Sequence, residues 1–283
     1  VLSLALAHLP AHAGSLEVVP TRAQGMGGAL RGAAAGTSAP ALNPSGISLV
    51  RSYVVEGAYH YLHDQKAHVT QVALSDSTSA SNVGGALIYN YATGGVGGAH
   101  QSRHEGGLSL SFPFGDYVSI GGSVRYLKIR NQAAGGVEEK SSGFTYDAGL
   151  TVRPSQKLSL GLVAYGLKDL KDPQVPRYFA GGLALLPIGE LIITGDVVVD
   201  QRTYAPGLDN AWSFLGGAEY TFAGRLAVRV GGGHDGLRDR GYFTAGLSAL
   251  GEVGAVDVGG RLDLGGSNPM YVGAALRLFV PAP

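Results

Sequence analysis

Arg51-Ser52-Tyr53-Val54-Val55-Glu56-Gly57-Ala58-Tyr59-His60-Tyr61-Leu62 reads with a period of two. Tyr53, Val55, Gly57, Tyr59 and Tyr61 fall on one side, and Ser52, Glu56, Ala58 and His60 on the other. That alternation predicts a β-strand with an apolar and a polar face. The pattern recurs down the chain. Leu158, Leu160, Leu162 and Ala164 oppose Ser159, Gly161, Val163 and Tyr165; Leu191, Ile193, Val197 and Val199 oppose Thr194, Asp196 and Asp200. Trp212, Phe214, Ala218 and Tyr220 oppose Ser213, Gly217, Glu219 and Thr221, and Val256, Val258, Leu262 and Leu264 oppose Asp257, Arg261 and Asp263.

About fourteen such segments are predicted, near 51–62, 67–75, 82–92, 104–113, 117–130, 143–153, 157–167, 177–187, 190–201, 211–222, 225–233, 240–249, 255–264 and 270–280. Each is close to the roughly 9 to 11 residues with which a tilted strand crosses a bilayer. Short turns at Phe114-Gly115-Asp116, Pro154-Ser155-Gln156, Ile188-Gly189 and Ala223-Gly224 alternate with longer polar loops at 93–103, 131–142, 168–176, 202–210 and 234–239. This asymmetry belongs to transmembrane barrels. The fold expected is all-β, an antiparallel transmembrane β-barrel of about fourteen strands.

Composition points the same way. The 283 residues hold 46 glycines, which disfavour helical bundles, and no cysteine, which removes disulfide scaffolds and thiol chemistry. Basic and acidic residues balance at 21 each, so no long-range field gathers nucleic acid, and none is expected as a partner. Only 15% of residues are charged, too few to coat the outside of a soluble β-sandwich, the alternative all-β reading. Tyr89, Tyr91, Tyr117, Tyr126, Tyr178, Tyr220, Tyr242 and Tyr271 fall near segment ends, where an interfacial belt is expected.

Residues 1–13 read as a truncated secretory signal, apolar from Val1 and ending in Ala11-His12-Ala13; a short first helix is the other reading. Residues 14–48 have no period, and 49–283 form the barrel. Inside it, charges should pair, because a lone buried ion is unfavourable by several kcal/mol. Glu219 and Arg229 flank the Ala223-Gly224 turn, Arg125 and Asp147 flank the 131–142 loop, and Asp257 lies on the same face as Arg261. Glu56 and Asp196 complete the expected lumen charges.

Searches for chemistry return little. Gly231-x-Gly233-x-x-Gly236 has dinucleotide spacing but precedes a strand, so there is no helix N-terminus for a phosphate. His63, His68, His100 and His104 fall in or beside loops and more often than not such histidines bind nothing. His60 near Glu56 has no Gly-x-Ser-x-Gly to go with it. No catalytic residue, metal site or cofactor is assigned.

Gly25-Met26-Gly27-Gly28-Ala29, the small-residue run Ala33 to Ala39, and Asn43-Pro44-Ser45-Gly46-Ile47 follow one another before the first strand. Together with Phe144 to Leu150, Leu158 to Leu162, Gly195-Asp196 and Gly217 to Tyr220, this order resembles the FadL family of outer-membrane transporters of hydrophobic compounds and the related PorV-type barrels. The resemblance implies a Gram-negative outer-membrane barrel with residues 14–48 folded inside as a hatch. Gly25, Gly27 and Gly28 would pack the plug, and Asn43, Pro44 and Gly46 would make its turn into the wall. It implies lipid around the barrel and passage of a small hydrophobic, fatty-acid-like ligand, or, on the PorV side, a scaffold docking other envelope proteins. Ser45 stands where the family usually has Ala, and no long helical outer loop is present.

Overall fold

The structure is a computed structural model that describes residues 19–280 apart from 80–82, 137, 173, 204, 206 and 266–269. The expected signal at 1–13 and the first residues of the 14–48 segment lie outside the described residues. Among the described residues, fourteen strands form a closed antiparallel barrel: β1 Tyr53–Leu62, β2 Ala67–Asp76, β3 Gly84–Gly94, β4 His100–Phe114, β5 Val118–Gln132, β6 Glu138–Ser155, β7 Leu158–Tyr165, β8 Tyr178–Ile188, β9 Leu191–Asp200, β10 Ala211–Phe222, β11 Leu226–Asp235, β12 Arg240–Leu250, β13 Gly254–Asp263 and β14 Met270–Val280. Each strand pairs with its sequence neighbours, and β1 closes on β14 with Tyr53 opposite Val280.

At the end that holds Tyr53 and Val280, here the turn end, every connection but the β2–β3 one is two or three residues long; those of the opposite, loop end are four or longer. At the β10–β11 turn, Ala223 and Gly224 both have positive φ, and Arg225 N–H returns to the Phe222 carbonyl at 2.9 Å. That geometry follows the strand twist.

The register points the apolar faces outward. Leu160, Val197, Phe214 and Val258 are exposed, whereas Ser159, Asp196, Glu219 and Asp257 on the opposite parity are buried. An outward greasy band around a polar interior is the inverse of a sandwich core and overturns that alternative. Three tyrosines assigned to the outer belt correct the reading: Tyr178 and Tyr242 are buried inside, and Tyr271 also takes the inward register. Strand parity, not proximity to a strand end, sets which way a side chain points.

The 131–142 and 93–103 loops are shorter than expected, since β4, β5 and β6 run to 15, 15 and 18 residues. Their polar upper parts stay hydrogen-bonded beyond the apolar band, where periodicity no longer marks a strand. β7 is the opposite, with eight residues.

Residues 19–50 pack against the inner wall as two single-turn helices, α1 (Thr21–Gln24) and α2 (Ala39–Leu42), and two 3₁₀ turns, Gly36–Ser38 and Pro44–Leu49. Met26, Leu30, Ala34, Leu42 and Ile47 make a small apolar centre there.

Candidate functional site

The inner segment is seated on glycine. A Cβ at Gly217 would lie 2.4 Å from the Met26 carbonyl oxygen, one at Gly231 2.4 Å from Gly27 N, one at Gly121 2.3 Å from Ser45 N, and one at Gly161 2.3 Å from the Arg31 carbonyl oxygen. The wall is therefore recessed where the segment's backbone touches it. On the segment's side, Gly27 has φ +69° and its Cβ would meet Gly216 O at 2.4 Å, and Gly28 has φ +78°. Gly25 abuts Gly246 Cα. Gly25 and Gly27 thus lie against wall backbone, whereas a Cβ at Gly28 would meet only Leu215 Cδ1 at 3.8 Å.

The Asn43-Pro44-Ser45-Gly46 turn has an equally direct basis. Asn43 Oδ1 accepts from Ser45 N (3.2 Å) and Ser45 Oγ (2.6 Å), while its Nδ2 donates to Arg31 O (3.0 Å) and Thr151 Oγ1 (3.1 Å). Pro44 supplies a fixed φ at the start of the 3₁₀ turn. At Gly46 any side chain would strike the Ala34 carbonyl, 2.0 Å from the Cβ position. Ser45, the departure from the family pattern, uses its hydroxyl on Thr151 Oγ1 (2.7 Å), and its carbonyl accepts from Ser111 and Ser119.

Ion pairs lock segment to wall. Arg22 forms two bonds to Glu219 (Nε–Oε2 3.0 Å, Nη2–Oε1 2.7 Å), and Glu219 also receives Arg229 Nε at 2.5 Å. Arg229 continues to Asp257 (3.3 Å), which takes two bonds from Arg277. Burial alone would lower the Arg22 pKa, but the adjacent Glu219 carboxylate outweighs it and holds the guanidinium above its ordinary value. Higher up, Asp196 Oδ2 accepts from Leu30 N, Arg31 N and Arg31 Nη1 at 3.0 to 3.1 Å. Thr37 donates to Glu56 at 2.6 Å.

The structure thus brings together Glu219 with Arg229, directly opposite in register, and Arg125 with Asp147 (2.6 Å). Asp257 and Arg261 do not pair. Two residues of the same face four apart lie more than 12 Å away along a strand, by a rise of about 3.3 Å per residue. Arg261 instead holds Asp235 (2.9 Å) and Asp263 (2.5 Å), its guanidinium 3.8 Å from the Tyr242 ring centre. Sequence reading missed Arg22, Arg31, Glu105 and Arg277. The signal available was a lone cation on each side of a Gly-rich, otherwise uncharged stretch. His60 is buried beside Gly273 and the Tyr271 ring, 5.6 Å away, and Glu56 turns to Thr37. His68 and His104 stand on the outer surface bonded to Tyr59 and Tyr89, and among the described residues no metal-binding group of three forms.

Between the inner segment and the loop end lies a cavity of about 160 Å³. Gly27, Gly28 and Leu42 form its floor, Val198, Leu215, Tyr178 and Tyr242 much of its wall, and Arg31, Arg261, Asp200 and Asp235 add charge of both signs. Tyr242 hydroxyl anchors the floor by donating to Gly27 O at 2.7 Å. Tyr178 stacks on Tyr165, ring centres 4.2 Å apart, and Tyr165 hydroxyl bonds the Leu42 carbonyl.

Beside this cavity stands the shortest strand, β7. β7 pairs with β6 only from Ala148, so β6 residues 138–147 rise without a β7 partner. Residues 166–172 and 174–177 turn inward across the gap: Gly166 N bonds Asp147 Oδ1, Leu167 N bonds Tyr146 O, and Gln174 Nε2 bonds Asn131 Oδ1 at 2.6 Å. Val175 and Leu170 pack on Leu127 and Ile129.

No family model and no curated protein matches the chain. Solved structures do. The monoaromatic hydrocarbon channel CymD superposes with a TM-score of 0.77 at 12% identity, covering 95% of this chain and 99% of that one. The toluene transporter TbuX of Ralstonia pickettii gives 0.72 at 13% identity over 94% and 99% of the two chains. A FadL homologue of Pseudomonas aeruginosa gives 0.68 at 11% identity over 93% and 98%. The chain therefore has the plugged fourteen-stranded fold of the FadL-type hydrophobic-compound transporters.

Proposed function

We propose that this protein is an outer-membrane channel for small hydrophobic compounds, with residues 14–48 acting as its hatch. The observation that carries the reading is the cavity of about 160 Å³ between hatch and mouth, open towards the loop end. An apolar cavity of about 150 Å³ accommodates benzene. A single-ring compound therefore fits, and an extended long-chain fatty acid does not fit without rearrangement. The similar structures, a monoaromatic hydrocarbon channel and toluene transporters, handle compounds of the same size class.

The loop end faces outside, where a ligand enters. Below the cavity the hatch is held by Arg22, Arg31 and Asn43, so the easier way out is sideways at β7, where residues 166–172 and 174–177 of the loop stand in for wall. The test is flux through the purified barrel in vesicles. Toluene should cross faster than through empty vesicles, and glucose and oleate should not. Equal toluene entry with and without protein rejects the channel.

The short outer loops support a second reading, a scaffold for other envelope proteins. Co-purification of a stoichiometric envelope partner, with no toluene flux, would favour it.

A further inference from the structure

The outer wall is chemically lopsided near the loop end. Around β8–β14 the outward residues at that height are mostly apolar, Phe179, Val199, Trp212, Phe214, Phe243 and Leu262, with one histidine, His234, opposite Phe214 and beside Asp239. Around β1–β6 the corresponding band carries two copies of one arrangement. On β1–β2, Tyr59 hydroxyl meets His68 Nδ1 at 2.6 Å and the Tyr61 ring centre lies 5.1 Å from the imidazole. On β3–β4, Tyr89 hydroxyl meets His104 Nδ1 at 2.9 Å and the Tyr91 ring centre lies 4.7 Å away. With the phenol donating to Nδ1, each neutral ring carries its proton on Nε2, the edge turned away from the tyrosine.

Next to this pair the outward cations outnumber the anions, with Lys128, Arg130 and Lys140 sharing the single carboxylate of Glu138. His104 is the direct cross-strand partner of Lys128, and Arg130 is that of Lys140. Arg130 and Lys140 are like charges directly opposite one another, an unfavourable arrangement. Glu138 pairs with Lys140 at 2.8 Å, but neither Lys128 nor Arg130 forms a salt bridge among the described residues. On β2–β5 no carboxylate points outward at this end. The band sits just above Leu108, Val124 and Tyr126, at the level of an aromatic interface belt. In a membrane that is the depth of headgroup phosphates.

We infer that His104, Lys128 and Arg130, with His68 alongside, form a binding site on the outer wall for the phosphate of an outer-leaflet lipid. The inference rests on the membrane placement proposed above. An anion from outside the chain relieves the Arg130–Lys140 juxtaposition and supplies Lys128 with a counter-charge, His104 can donate from Nε2, and the neighbouring Tyr59, Tyr61, Tyr89 and Tyr91 offer ring faces to the lipid's upper chain and sugar or glycerol.

Native mass spectrometry of the delipidated full chain in detergent, titrated with diphosphorylated lipid A, tests it. Retention should fall at least tenfold in the combined variant His104→Ala, Lys128→Ala, Arg130→Gln, and stay unchanged in Lys157→Ala at the turn end. Fully dephosphorylated lipid A should bind no better to the parent than to the combined variant. Undiminished lipid A binding by the combined variant, equal retention of dephosphorylated lipid A, or binding of inorganic phosphate without lipid A each overturns the site. All three side chains are exposed, so circular dichroism and heat-dependent gel mobility verify that the variant folds. Toluene flux separates this inference from the channel reading: lost lipid A binding with flux intact removes the site alone, and absent flux with lipid A retained removes the channel alone.

Discussion

At Gly217 the missing side chain is the functional feature. Any Cβ there would sit 2.4 Å from the Met26 carbonyl, a backbone atom of the inner segment that cannot give way without shifting that segment. Gly217→Val is expected to destabilise the barrel by about 1–3 kcal/mol through overpacking and to unseat the hatch. Single-channel conductance should rise. Gly106→Val, whose Cβ meets nothing within 4 Å, should leave both stability and conductance unchanged. Glu219 makes a second comparison. Its carboxylate is shared by Arg22 from the hatch and Arg229 from the wall, so Glu219→Ala strips both of a buried counter-charge and should cost about 3–5 kcal/mol. Arg22→Ala leaves the Glu219–Arg229 pair in place and should cost less. Denaturant unfolding that ranks the two the other way contradicts this account of the latch. The Glu219–Arg229 pair was legible in the sequence because a tight turn sets the register across it. Arg22 was not, since its partner lies 197 positions away and no local rule spans that distance. The wall glycines were invisible for the same reason: the atom that excludes a side chain at Gly217 or Gly231 belongs to the distant N-terminal segment.

Strands differ from loops in how much of them the sequence discloses. The fourteen segments and their inward and outward faces follow from period two, because a slip of one residue would turn every apolar side chain into the lumen. Their upper limits were less visible. β6 continues to Glu138 through polar residues on both faces, held by β5 and not by contrast between faces. The inward fold of residues 166–172 and 174–177 depends on Leu127, Ile129 and Val175 meeting inside the barrel, and the loop's own composition does not reveal that. If this loop is the side gate, fixing it should close the route. Gln174 and Asn131 side chains touch at 2.6 Å, and the chain has no cysteine of its own. Asn131→Cys with Gln174→Cys, bridged by a short disulfide-containing cross-linker, is expected to cut toluene flux at least fivefold, with recovery on reduction. Flux unaffected by the bridge would move the exit elsewhere, past the hatch.

The entire barrel is organised by what surrounds it. Along β4 the outward side chains run from His104 through Leu108, Leu110 and Phe112 to Phe114. At a rise of about 3.3 Å per residue and a tilt near 40°, that span stands about 25 Å tall, the height of a transmembrane barrel's apolar band. Tyr126 and Phe144 mark one edge, and Phe114, Tyr117 and Phe222 the other. Leu162 lies near the middle of this band and is 60% exposed. In water an arginine at so open a surface position would change stability by no more than about 0.5 kcal/mol. In a bilayer the same side chain must leave headgroup and solvent, and Leu162→Arg should cost about 2–4 kcal/mol at the midplane. Arginine at Phe114, on the band's edge, should cost about 1 kcal/mol or less. Reversible folding into phospholipid vesicles, followed by tryptophan fluorescence from Trp212, measures both substitutions in one host. A depth-dependent penalty places hydrocarbon against Leu162. Equal and negligible penalties would mean that this face meets water, and a lateral exit at β7 would then open onto nothing a hydrophobic ligand prefers.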